Sequence, residues 1–513
     1  MKRKSVTRLL AVALSGAMLL SSSPVAYAME EKQPLEETII ESEPLDADKE
    51  SLCIDEEVNI ESEDLLDNQE PVNDGNMDLS IDSTAVQQMD GAFCDEIIEE
   101  DNPEEEIIDG DLIDSIEYYE EGDSGNQDYP DDITEEYGTY VNGGDCGATE
   151  ADNLIWTIYD NNQDNVGDVL VISGIGKMKD YSKTDRSPWY TYLNSRKVKL
   201  VLENGIIYIG KYAFDECSGL VGKLILPESV ETIGENAFFN CDGFSGNLSV
   251  PQNVVSIGVR AFMGCRGFSG SLVLSERITK LENASFNGCD GFTGGLILPE
   301  GLVSIGAGAF SGCSGFTGDL VFPSKLISIG NYAFNGCSGF EDDLILPESM
   351  VSIGINAFNG CSGFTGDLMI PEGVTCIENE AFNGCSGFNG NLVLPKSLTS
   401  IGRGAFSGCS GFTGDLILPE NIISIATNTF SECSGFNGNL VLPKSLTSIG
   451  RSAFSGCSGF TGDLMFPESV LSIEDEAFSR CSGFTGDLII PEKVTKICFG
   501  SFTGCNGFNG NLT

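Results

Sequence analysis

The chain has 513 residues, 79 Asp or Glu against 27 Lys or Arg, a formal net charge of -52 and no histidine. So acidic a protein is a poor partner for nucleic acid, whose phosphates need neutralising cations. Without imidazole it also lacks the usual general base and the commonest transition-metal ligand.

In chain order, residues 1–28 read as a secretory signal peptide. Lys2, Arg3, Lys4 and Arg8 form a basic start, Leu9 to Leu20 an apolar stretch too short to span a bilayer, and Ala26-Tyr27-Ala28 a small-x-small cleavage site. No later segment is long and apolar enough to be a transmembrane segment. Residues 29–139 read as an acidic disordered spacer. Across 29–145 there are 42 Asp or Glu and two Lys, and such self-repulsion leaves little to pack. Cys53 and Cys94 in this segment are the better disulfide candidates, with Cys146 left over. Residues 140–197 read as an N-terminal β cap domain: Trp156-Thr157-Ile158-Tyr159 and Val169-Leu170-Val171-Ile172 form two strands joined by an Asn/Asp-rich loop.

From there a cysteine recurs every 24 residues, thirteen times, from Cys217 to Cys505. A fixed period in this range means a solenoid with one structural unit per repeat. With each Cys as place zero, Gly stands at place two throughout, Phe at place three in all but the first repeat (Leu220), and Phe at place twenty-one from Phe238 to Phe502. Pro stands at place ten, with Ser275 the exception. The Leu-Ile-Leu run at places seven to nine, closed by Pro, reads as one short strand and the Ser-Ile-Gly run as a second. The Gly-rich segment after each Cys is turn chemistry, and no unit has room for more than a helical turn near Ala-Phe. Parallel stacking at ~4.8 Å per unit predicts a rod or arc roughly 60 Å long, with Phe ladders ring against ring inside. The fold class is thus a repeat solenoid, mainly β, with little helix.

The chain resembles the BspA-like bacterial leucine-rich repeats. The resemblance rests on segments such as Leu392-Val393-Leu394-Pro395-Lys396-Ser397-Leu398-Thr399-Ser400-Ile401-Gly402 followed by Ala405-Phe406 and Cys409, and covers residues 198–513, about three-fifths of the chain. In that family the unit is commonly a residue shorter. Here three residues separate the first two apolar places, as in Phe316-Thr317-Gly318-Asp319-Leu320, which implies a wider turn. Family members often carry a Trp-Thr-Ile…Ile-Ser-Gly-x-Gly-x-Met stretch before the first repeat, matched here up to Ile172-Ser173-Gly174-Ile175-Gly176-Lys177-Met178. The resemblance implies an exported, non-catalytic protein, secreted or at the cell surface, that adheres to host matrix or plasma proteins or to other microbial cells.

If places seven and nine point inward, places six and eight point outward. Place eight then forms an aliphatic rail: Ile225, Val273, Ile297, Val321, Ile345, Met369, Val393, Ile417, Val441, Met465 and Ile489. Place six forms an acid and amide rail: Asp319, Asp343, Asp367, Asn391, Asp415, Asn439, Asp463 and Asp487. A long exposed apolar strip points to a partner or to self-association, while ordinary strand propensity would also put aliphatics there. Calcium on the Asp rail is the weaker reading, because adjacent carboxylates repel; Asn391 and Asn439 look like relief of that repulsion. Places eighteen and nineteen vary most, as in Asn331-Tyr332, Arg403-Gly404 and Asp475-Glu476, and are expected to be exposed. Units 385–408 and 433–456 differ only at Gly404 against Ser452, which suggests unit duplication.

The cysteine ladder lacks the clustered pairs of a zinc site. Stacked equivalents leave their Cβ atoms ~4.8 Å apart where a disulfide wants ~3.8 Å. Each therefore reads as a small buried apolar residue, and Cys376 and Cys498, off the beat, as no different. No catalytic residue, cofactor or metal ligand is expected. Two other functions stay open: a structural or self-assembling surface protein using the apolar rail and the open C-terminal repeat, and an extracellular enzyme with its site in 140–197. The last unit, Asn506 to Thr513, reads as an incomplete reading frame or as an uncovered layer that invites end-to-end association.

Overall fold

The computed structural model describes residues 137–164, 167–193 and 196–513. The signal peptide, nearly all of the acidic spacer, and Cys53 and Cys94 lie outside the described residues. What is described is a β-solenoid of 24-residue turns with almost no helix, entered through a small sheet.

That sheet begins with β1 (Thr139–Asp145), β2 (Ile155–Asp160) and β3 (Val169–Ser173), paired antiparallel in the order β1-β2-β3 with Trp156 opposite Ile172. β4 (Gly176–Lys177), β5 (Val198–Leu202), β6 (Ile206–Ile209), β7 (Leu220–Val221) and β8 (Thr232–Ile233) follow. Here the pairing turns parallel: β3 pairs β5 and β5 pairs β7, while β4, β6 and β8 form a second parallel ladder. The sheet therefore passes into the repeats without a break in hydrogen bonding. Trp189, fully buried, stacks on Phe214 with ring centroids 5.4 Å apart and donates its indole N–H to the Ala213 carbonyl at 2.8 Å. Trp156 meets Trp189 edge-on at 6.1 Å.

Beyond Phe214 the interior is two phenylalanine ladders. Rings at place twenty-one stack face to face, as in Phe334 on Phe358 at 5.4 Å, and rings at place three do the same, as in Phe316 on Phe340 at 5.6 Å. The ladders touch edge-on, Phe310 to Phe316 at 6.3 Å. Such ring pairs add about 0.5–1.5 kcal/mol each beyond the area they bury. Leu at place seven, Leu, Ile, Val or Met at place thirteen, and Ile or Leu at place sixteen complete the core.

Between places seventeen and twenty-three the chain makes a run of turns, not a helix. Its N–H groups bond three residues back within the unit, as Cys313 to Phe310 at 3.1 Å, or to the next unit, as Phe310 to Ala333 at 2.8 Å. Two of its places need a left-handed backbone. Place twenty-three is mostly Gly, such as Gly336 at φ 74°, while place nineteen takes non-glycine residues such as Tyr332 at φ 58°. This corrects the expected exposure of the variable places. Tyr332 and Arg403 are exposed, but Gly404 is buried and Asp475 and Glu476 are half-buried.

The ladder cysteines from Cys217 to Cys481 are buried and free; Cys505 is half-buried. They are more than filler. Each thiol from Cys241 onward donates to the carbonyl of a Phe 27 residues earlier, as Cys337 to Phe310 at 3.0 Å and Cys385 to Phe358 at 3.1 Å. Burial pushes the Cys337 thiol up to about 12 and holds Cys361 well above its ordinary value, so the neutral form persists. Cys376 and Cys498 differ from them. Both are half-exposed, at the second strand and just past it, and Cys498 bonds the Glu474 carboxylate at 3.3 Å. Cys146 is buried and free, its thiol pushed up to about 12 by desolvation and then by Asp145.

Candidate functional site

Up to two short parallel strands per repeat carry the outer surface. The second, at places fifteen and sixteen, stacks through long runs: Ser304 on Ser328 on Ser352, and Ser424 on Ser448 on Ser472 on Lys496. The first, at places seven and eight, alternates sides. Leu296, Leu320, Leu368, Leu392, Leu416 and Leu440 point inward and are buried. Ile297, Val321, Ile345, Met369, Val393, Ile417, Val441, Met465 and Ile489 point outward, from 44% exposed at Val393 and Val441 to 73% at Ile345. Asp319, Asp343, Asp367, Asp415, Asp463 and Asp487 are all exposed beside them. Both sets of residues singled out from the sequence thus lie along one face of the solenoid.

A second apolar stripe went unread in the sequence. Val255, Val303, Ile327, Val351, Ile423 and Leu471 occupy place fourteen and are exposed. Their signal, an aliphatic just before Ser-Ile, was present in half of the repeats and looked like ordinary variation between two strands.

Unlike the second ladder, the first pairs repeats two at a time. Leu368-Met369 pairs Leu392-Val393, and Leu416-Ile417 pairs Leu440-Val441, but the two pairs do not join. The cause lies at places four to six. Units 361–384 and 409–432 carry Thr-Gly-Asp there, and units 385–408 and 433–456 carry Asn-Gly-Asn. Asn391 donates its backbone N–H to Asp367 Oδ1 at 2.6 Å and its side-chain amide to the same oxygen at 3.2 Å. Asn389 Oδ1 in return accepts from Gly366 N–H at 3.0 Å. Asn437 and Asn439 repeat the arrangement on Gly414 and Asp415. Where Asp follows Asp no such amide exists and like charges face each other. Leu344-Ile345, between Asp319 and Asp367, forms no strand, and Met465 makes only an isolated bridge to Ile489. The proposed role of Asn391 and Asn439 in relieving repulsion thus has a direct hydrogen-bonded form.

At the unpaired junctions the face opens into clefts. One of about 400 Å³ lies between Leu320 and Ile345 with Asp319, Asp342 and Asp343 at its rim. A second of about 480 Å³ runs from Asp343 past Met369 to Val393. A third of about 440 Å³ lies between Val393 and Ile417, rimmed by Lys396 and Asp415. In the first, a hydrogen bond donated to the Asp342 carboxylate by protonated Asp319, and the charge of Asp342, raise the Asp319 carboxyl above its ordinary value.

The region 140–197 holds one further cluster that sequence reading passed over. Asp160, Asp164 and Asp168 bring carboxylate oxygens within 4.8 Å of one another. Asp160 Oδ1 accepts from the N–H groups of Asn162 and Gln163 at 3.1 and 2.8 Å, so the loop's own turn engages it. The spacing of acids at every fourth residue was its signal. No helix among the described residues is long and apolar enough to cross a membrane.

Residues 188–317, 279–413 and 413–509 match the BspA type leucine rich repeat region, in 6 copies. Among solved structures, a leucine-rich repeat protein from Bacteroides ovatus is 24% identical, covering 68% of this chain and 91% of that one at a TM-score of 0.48. A leucine rich cell surface protein from Faecalibacterium prausnitzii is 21% identical over 72% of this chain and 95% of its own, TM-score 0.39. A leucine-rich repeat protein from Eubacterium ventriosum is 18% identical over 71% and 95%, TM-score 0.39. Comparison with curated proteins gives no match. Repeat solenoids of this type are in general non-catalytic scaffolds, and the family points to a repeat-based protein-binding or surface role. With the repeat signature matched over more than half of its length, the chain belongs to the BspA type leucine-rich repeat family.

Proposed function

We propose that residues 198–513 are a non-catalytic extracellular adhesion array, carried by a protein that is secreted or displayed at the cell surface. The observation behind this reading is the unbroken outward file of aliphatic side chains at place eight, from Ile297 to Ile489, beside a file of carboxylates. Exposed apolar surface of this length is costly in water unless a partner covers it. Its repetition raises apparent affinity by avidity for a partner that is itself multivalent, such as a matrix protein or another cell surface. In this reading residues 140–197 close the apolar end, with Trp189 lying over Phe214, and residues 1–28 direct export.

The test is a pull-down from extracellular-matrix extract with the full chain, wild type against a form with all place-eight residues from Ile297 to Ile489 replaced by Thr. Loss of the captured partners is expected. Retention of every partner by the Thr form removes the rail from consideration.

A further inference from the structure

Repeat 337–360 departs from its neighbours in three ways. Its place-four to place-six segment is Glu341-Asp342-Asp343 where the preceding and following units have Thr-Gly-Asp. Asp342 thereby occupies, at φ 61°, the left-handed position that Gly318 and Gly366 fill in the neighbouring repeats. It bonds its neighbours only up to place six, through Glu341 N–H to Gly318 and Thr365 N–H to Asp342, so Leu344-Ile345 forms no strand, and two clefts of about 400 and 480 Å³ adjoin there. Finally, residues 337–384 contain eight Asp or Glu and no Lys or Arg, whereas residues 385–456 contain three acids and four bases. The clefts are thus walled by carboxylates on both sides, Asp319, Asp343 and Asp367 on one and Glu348 and Glu372 on the other, over a floor that includes Ile345 and Met369.

We infer that this groove takes an extended polypeptide segment of a partner protein in which aliphatic side chains alternate with Lys or Arg. The inference rests on the adhesion reading above and names the partner chemistry for one stretch of it. Aliphatic side chains meet Ile345 and Met369 while cationic ones on alternate positions reach the walls, as the period of two of an extended chain requires. Three stacking steps of ~4.8 Å give ~14 Å of groove, room for about four residues at ~3.3 Å each. Lys396 marks the end of the run, where the rim changes sign. A second copy of this chain is a poor occupant, since its own net charge is -52.

The experiment is hydrogen exchange read by mass spectrometry on the full chain, with a blocked hexapeptide of alternating Lys and Val as probe and its Glu-Val counterpart as control. Slowed exchange is expected at 341–346 and 367–372 with the Lys-Val peptide only. A triple variant, Asp342→Gly with Asp343→Asn and Glu348→Gln, should bind at least tenfold more weakly. Because Gly is the ordinary residue at that left-handed position, the variant should stay folded, and the single variant Glu372→Gln should show a smaller loss in the same direction. Protection confined to the acidic segment before residue 137, equal protection at 391–419, or undiminished binding by the triple variant overturns the inference. So does protection produced by calcium alone or by raised protein concentration alone. If the peptide fails while the Thr-substituted array loses its partners, this inference falls and the adhesion reading stands.

Discussion

Repeats 337–360 and 385–408 have the same interior and opposite outer faces. Both bury Phe at places three and twenty-one, stacked on neighbours at 5.1 to 6.1 Å, and both bury their Cys. Outside, the first carries Glu-Asp-Asp and leaves Leu344-Ile345 unpaired, while the second carries Asn-Gly-Asn and pairs Leu392-Val393 with the unit before it. The difference teaches that the core does not decide how the first ladder pairs. Two or three side chains at the strand entrance do.

The largest effect should be common to both repeats. Burial raises the folded thiol values of Cys337 and Cys385 above the ordinary 9.0. The neutral thiol is therefore favoured by folding, and its contribution is fully present below about pH 9 and lost as pH rises beyond it. Each ladder thiol should cost about 1.4 kcal/mol of stability per pH unit above that point. Urea midpoints taken between pH 8 and pH 11 should fall steeply, and a flat profile would remove the thiols from the ledger of the core. Next in size, Phe358→Ala and Phe406→Ala should each cost about 3–5 kcal/mol. Urea unfolding of the two variants should give nearly equal losses; a large inequality would mean that the open repeat has a weaker interior, against the comparison drawn above.

Smaller changes should separate the repeats. Asn391→Asp removes a donor and adds a like charge, for a loss of about 1 kcal/mol. Its sharper readout is exchange of the Leu368 and Ile370 amides, which bond Asn391 and Val393 carbonyls at 2.9 and 3.0 Å and should exchange faster. The converse, Glu341→Asn with Asp342→Gly and Asp343→Asn, should close repeat 337–360 onto Asp319 and slow exchange at Leu320 and Phe322. Unchanged exchange there would show that the pairing code needs more than places four to six. Least of all, Glu432→Ala breaks an exposed ion pair with Arg480 two repeats on and should cost at most about 1 kcal/mol, vanishing in high salt.

Much of this was legible. Alternation about Leu344 and Leu392 placed Ile345 and Val393 outside, since a strand turns successive side chains to opposite faces. Stacking of identical units placed Phe and Cys inside. Other features were not legible. The thiol bond from Cys337 to the Phe310 carbonyl links residues whose separation exceeds one period by three, and no single-unit pattern shows it. Place fourteen was missed because half of its members are Thr or Glu, as at Thr399 and Glu231. The three aspartates from Asp160 converge only because a turn folds back.

By itself the sequence determined the period, the interior and the in-register stacking, because a repeated unit that cannot bury its own Phe side chains has to bury them against its copies. Tertiary structure alone decided which first strands join and where the face opens. The physical reason is visible in one residue type. The place-five glycine is left-handed in the Thr-Gly-Asp unit, Gly366 at φ 69°, but not in the Asn-Gly-Asn unit at Gly390. The Asn-Gly-Asn backbone is held by a hydrogen bond to the neighbouring repeat, from the Asn391 N–H to Asp367, 24 residues away.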